Sequence, residues 1–177
     1  MFGIGDKILY PMHGAGVIVR IEESEILGQE KSYYVLKISG RDIKIMVPVE
    51  NSERIGLRPV VSKEEALGAL DVLKEKPTAM PANWNRRYRE NTDKLKSGRI
   101  DQVAEVVRNL SRADRRRKLS AVETKMLGNA RQILISELAL AGEMRAEEAA
   151  ALVEQAIRVL CMVMLVMIRI RCYRLLW

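Results

Sequence analysis

The chain has few residues that support chemistry of their own. Its 177 residues include two cysteines, one histidine and one phenylalanine. The cysteines, Cys161 and Cys172, lie in the last seventeen residues, so the sequence predicts no disulfide framework and a reducing, cytoplasmic environment. A metal site is not expected, because His13 has no cysteine or histidine near it in the sequence. We read His13 as a turn residue.

Sequence motifs of enzymes and of membrane proteins are also missing. We find no Walker A sequence, no Gly-x-Ser-x-Gly and no Cys–His pair, so we expect a binding protein without a cofactor. The first residues lack the basic and apolar regions of a signal peptide. The longest apolar run, residues 159–168, is half the length that a membrane-spanning helix needs. Integral membrane insertion is therefore not expected.

Positive charge is abundant and concentrated in one region. Residues 83–118 hold twelve Lys or Arg against five acidic residues, an excess of seven that equals the net charge of the whole chain. Residues 1–60 are balanced, with eight of each sign. A local basic region indicates a polyanionic partner such as nucleic acid. The run Arg115–Lys118 adds to this field, although charge runs between helices are usually solvated loops.

Trp84 stands at the edge of this region and is followed by Arg86, Arg87 and Arg89. An aromatic ring beside guanidinium groups suits a surface that holds phosphates and stacks on a base step. The alternative is that Trp84 and Tyr88, four residues apart, form a core stripe. The next apolar residue of that helix is Leu95, so this stripe is narrow for a core-facing helix. The pattern favours a nucleic-acid surface.

The pattern of elements predicts an α+β protein of two modules. Short β-branched and aromatic runs within residues 1–60, separated by turn residues, predict a small, strongly bent barrel or sandwich. From residue 61 to 157 the pattern is helical and predicts an all-α bundle. Residues 158–177 are apolar and basic. They could pack on the bundle, pair with another chain, lie on a membrane surface or be an aberrant terminus.

Five segments together resemble the CarD (CdnL) family of bacterial transcription regulators, and they occur in the same order from residue 1 to about 157. They are Gly5–Gly16, Val47–Asn51, Asn83–Tyr88, Val103–Arg108 and Leu127–Leu134. The first module alone is also similar to the polymerase-binding domain of transcription-repair coupling factors, whose helicase motifs this chain lacks. Beyond Arg158 the resemblance ends.

The resemblance implies a Tudor-like first module that docks on the β subunit of bacterial RNA polymerase, largely through a sheet edge. Some relatives carry Arg where this chain has Met46, so we expect backbone pairing and packing around Lys44, Met46, Val47 and Pro48 instead of a charge contact. The helical module is expected to touch promoter DNA at the upstream edge of the transcription bubble.

In members of the family that the chain resembles, a tryptophan that matches Trp84 wedges into the minor groove of DNA. Residues that match Arg86 and Arg89 contact the DNA backbone. We include Arg87 in the same expected DNA surface. The implied function is a non-enzymatic regulator that stabilises the open complex. Two alternatives stay open: an RNA-binding or ribosome-associated protein, and a protein–protein adaptor in which Trp84 is buried.

Overall fold

A computed structural model describes residues 1–26 and 29–158 of the chain. Five strands form one antiparallel sheet: β1 (Lys7–Tyr10), β2 (Gly14–Ile26), β3 (Gln29–Ile38), β4 (Lys44–Pro48) and β5 (Arg58–Pro59). Their order across the sheet is β4-β3-β2-β1-β5. The helices are α1 (Lys63–Lys74), α2 (Trp84–Lys96), α3 (Ile100–Arg116), α4 (Ala121–Gly142) and α5 (residues 146–158). The α+β architecture is confirmed, but the sheet is open rather than closed into a barrel.

The sheet bends over a small core of its own. Ile8, Ile18, Tyr34, Leu36 and Val47 are almost fully buried together. The pairing of β2 with β3 shifts register between Ile18 and Arg20, and such a bulge increases local bend and twist. β4 and β5 are the end strands of the sheet, so each has one edge without a partner strand among the described residues. The sequence predicts a turn at Leu27–Gln29, of which residues 27 and 28 lie outside the described residues.

The helices form a bundle around α3 and α4. Local signals start them where the sequence predicts: Ser62 and Ser120 both form capping boxes, with Glu65 and Glu123. The α3 helix buries one face through Val103, Val106, Val107 and Leu110 against α1 and α4. No helix within residues 1–26 and 29–158 is long and apolar enough to cross a membrane. The sequence predicts the apolar and basic tail at residues 158–177, and from residue 159 onward it lies outside the described part.

The two modules are packed against each other. Leu9 and Ala15 of the sheet belong to the same buried cluster as the helices. The Ala15 N–H donates to Ser136 Oγ of α4 at 2.8 Å, and Ser136 is fully buried. Arg58 of β5 pairs with the buried carboxylate of Glu137 at 2.6 Å and donates to the Gly98 carbonyl. These contacts fix the direction in which each module presents its surface.

Candidate nucleic-acid interface

Trp84 is the first residue of α2, and its position in the helix explains its exposure. The buried residues of α2 are Arg87, Asn91 and Leu95, and at 100° per residue Trp84 lies on the same side as they do. Helical side chains lean towards the N-terminus, so the ring of the first residue points past the end of the helix. Trp84 is 42% exposed and Tyr88 41%. The core stripe therefore continues into solvent at this end.

The two rings form one aromatic surface. Trp84 and Tyr88 are stacked, with ring centroids 5.5 Å apart and planes inclined by 15°. Stacking on Tyr88 holds the indole in place while leaving part of it open. The Asn83 side chain caps the helix by accepting from the Arg86 N–H at 3.0 Å. A fixed helix start and a stacked partner give the indole a defined orientation.

Arg86 and Arg89 lie on the solvent side of α2. The Arg86 guanidinium is 2.8 Å from the carboxylate of Glu90 and remains largely exposed. Exposed pairs of this kind contribute little to stability, so a phosphate can compete for Arg86. Arg89 is exposed, and within the described residues its side chain has no hydrogen bond or ion pair. Both guanidinium groups are accessible to a polyanion.

Arg87 does not join them. Its side chain is 9% exposed and donates to Glu123 Oε1 at 2.9 Å and to the carbonyls of Pro81 and Ala82. The expected DNA contact of Arg87 disagrees with this placement, because its guanidinium is used to hold the segment before Trp84. Sequence spacing did not reveal this, since Glu123 lies 36 residues away.

Glu123 is the acceptor at the centre of this network. It also accepts from the Ser120 N–H at 3.2 Å and from Arg117 at 3.3 Å, and it is 4% exposed. Burial alone would raise the pKa of this carboxyl. The hydrogen bonds from Ser120, Arg87 and Arg117 outweigh it and lower the pKa to about 2. The ionised carboxylate therefore joins the start of α4 to the start of α2.

The second expected surface is the outer edge of β4. The Ile38 N–H donates to the Ile43 carbonyl, and the β3–β4 register continues without a shift to Tyr33–Pro48. Hydrogen-bonded pairs alternate along antiparallel strands, so the N–H and C=O groups of Lys44 and Met46 point away from β3. Pro48, which has no N–H, occupies the next outward position. Two residues thus offer outward donors.

Side chains at this edge divide by face. Val47 is 1% exposed and belongs to the core of the sheet, whereas Met46 is 47% exposed and Lys44 is exposed. Val47 is therefore unable to contact a partner through its side chain. Met46 offers an apolar surface beside the open backbone groups.

Two family models match the chain. The CarD-like/TRCF RID domain matches residues 2–61, and the CarD C-terminal domain matches residues 68–154. The chain belongs to the CarD family. A Bacillus subtilis (strain 168) protein catalogued under the name YdeB is 42% identical over 138 residues, which cover 78% of this chain and 90% of that protein. That protein is named as a proposed transcription factor.

Membership of the CarD family gives the two surfaces a shared context. The family is of the transcription-factor type, and the name of the first domain points to interaction with RNA polymerase. Within the described residues no group of His, Cys, Asp and Glu is placed to hold a metal ion.

Proposed function

We propose that this CarD family chain is a non-enzymatic regulator of transcription initiation that holds RNA polymerase through the β4 edge and promoter DNA through α2. The polymerase contact is to the β subunit, and the DNA contact is at the upstream edge of the bubble. The observation that carries the proposal is the half-exposed Trp84, oriented by Tyr88 and flanked by the accessible Arg86 and Arg89.

The proposed mechanism is a wedge. Inserting an aromatic ring between base pairs costs a few kcal/mol of stacking, which melted or distorted DNA has already lost in part. Trp84 therefore binds the open complex better than closed duplex, and a ligand with such a preference raises the population of the favoured state. Arg86 and Arg89 position the helix on the backbone without reading sequence.

The test is the lifetime of a promoter open complex with Trp84→Ala. We expect the variant to bind polymerase normally and to lose the added lifetime, because the stacking surface is removed while β4 is untouched. Arg89→Ala should weaken the effect partially and make it less dependent on salt. A Trp84→Ala lifetime equal to that of the unchanged chain contradicts the wedge. Binding to structured RNA without polymerase would favour the ribosome-associated alternative.

A further inference from the structure

A cleft lies next to the start of α2, and the charged residues that line it within the described part of the chain are all arginines. Its volume is about 780 Å³, and it lies between the segment Pro77–Ala82 and the last turns of α3. The charged residues that line it are Arg87, Arg112, Arg116 and Arg117. Among residues 1–26 and 29–158, no acidic residue belongs to this lining.

Part of this cleft is rigid and part is free to adapt. Arg87 and Arg112 are each 9% exposed, and Arg87 is held by Glu123 and two carbonyl groups. Arg116 and Arg117 are exposed at the end of α3. Thr78 and Asn109 also line the wall, where the Asn109 amide donates to Thr78 Oγ1 at 2.7 Å and the Thr78 hydroxyl donates to Glu105 at 2.6 Å. The buried arginines supply fixed guanidinium donors and the exposed arginines supply adjustable ones, and this combination suits a phosphate group.

We propose that this cleft is a second anion site that binds phosphate groups and that it is separate from the stacking surface of Trp84. Several guanidinium groups converging on one space match the planar, multidentate recognition of phosphate oxygens. Glu123 and Glu105 lie next to this lining, and both carboxylates are already engaged: Glu123 pairs with Arg87 and Arg117, and Glu105 accepts from the Thr78 hydroxyl at 2.6 Å. The phosphate belongs either to the DNA that Trp84 contacts or to a free phosphorylated compound.

Occupation of the cleft has a consequence for the wedge. Ala82 and Pro81 line the cleft, and Trp84 follows two residues later. An anion bridging Arg116 to this segment restrains the residues that lead into α2. The inference rests on the proposed function only in this consequence, since anion binding is measurable without polymerase.

The experiment is a titration of the full chain with inorganic tripolyphosphate, followed by calorimetry and by Trp84 fluorescence in a Trp177→Phe background. We expect saturable binding that Arg116→Glu weakens about tenfold or more, through loss of a charge-assisted contact. Arg115→Glu is the matched control, because Arg115 is the exposed neighbour with the same charge and is absent from the cleft. Trp84→Ala should leave tripolyphosphate binding unchanged.

A second arm identifies the source of the phosphate. If Arg116→Glu, and not Arg115→Glu, also shortens the open-complex lifetime, the cleft takes a DNA phosphate; if only tripolyphosphate binding falls, it takes a free compound. If the full chain binds no tripolyphosphate but Arg116→Glu, and not Arg115→Glu, shortens the open-complex lifetime, this result also supports a DNA phosphate. Equal effects of the two variants in both assays, or no effect of either, overturn the proposal, because they indicate a general field and no site.

Discussion

At the scale of single residues, Glu123 shows how one carboxylate supports a surface it does not form. It joins the capping box of α4 to Arg87, which in turn holds Pro81 and Ala82 ahead of Trp84. Because its pKa is lowered from 4.5 to about 2, the folded state favours the ionised form. The stabilisation is present above about pH 4.5 and is lost as the pH falls towards 2.

We expect Glu123→Gln to lower the free energy of unfolding at pH 7 by about 1–3 kcal/mol, because Arg87 keeps a hydrogen-bond acceptor but loses its buried counter-charge. Between pH 5 and 3 the unchanged chain should lose more stability than the variant. Urea unfolding at several pH values measures both effects. Parallel pH profiles of the two proteins would contradict a lowered pKa of Glu123 in the folded state. Glu90→Gln, which breaks an exposed pair, serves as control.

At the scale of elements, the edge of β4 allows backbone and side-chain contributions to the proposed polymerase contact to be tested separately. Lys44 and Met46 direct their N–H groups outwards, so proline at position 46 removes a donor to the partner and leaves the β3–β4 hydrogen bonds intact. Met46→Ala keeps the donor and removes the apolar side chain. The two substitutions therefore test different parts of the same contact.

We expect Met46→Pro to weaken binding to a polymerase β-subunit fragment about tenfold or more, and Met46→Ala to weaken it less, because backbone pairing dominates strand addition. Calorimetric titration measures both affinities, and thermal unfolding checks that each variant is folded. Wild-type affinity in Met46→Pro would exclude pairing at this edge.

At the scale of the whole molecule, a few buried contacts fix the sheet against the bundle. Ser136 accepts from the Ala15 N–H and donates to the Ile133 carbonyl, and a Cβ on Gly14 would lie only 2.7 Å from its oxygen. Gly14 also has a φ of 107°, which side chains other than glycine rarely adopt. The backbone at Gly14 therefore packs against α4 too closely to accommodate a side chain.

We expect Ser136→Ala to lower the free energy of unfolding by about 1–3 kcal/mol, since it leaves the Ala15 N–H buried without an acceptor. It should also loosen the relative orientation of the modules and shorten the open-complex lifetime, with little change in binding of the polymerase fragment. Urea unfolding and the lifetime assay test this. Thr124→Ala on the exposed side of α4 is the comparison, because its hydroxyl donates to the carbonyl of Ser120, the N-cap of the same helix, and not to the sheet.

Much of this organisation follows from the sequence alone. The capping boxes at Ser62 and Ser120, the turn glycines and the apolar periodicity are local signals that predict the elements. The resemblance to the CarD family comes from five ordered sequence segments. The concentration of positive charge on residues 83–118 likewise required no coordinates.

What the sequence did not determine is which of those charges are accessible. In the sequence, Arg87 is indistinguishable from the neighbouring arginines, but it is buried where it contacts Glu123, 36 residues away. Arg116 has the sequence pattern of a solvated loop charge, yet packing places it in the same cleft as Arg87. Long-range packing determines which charged side chains are accessible, and the local sequence pattern does not contain that information.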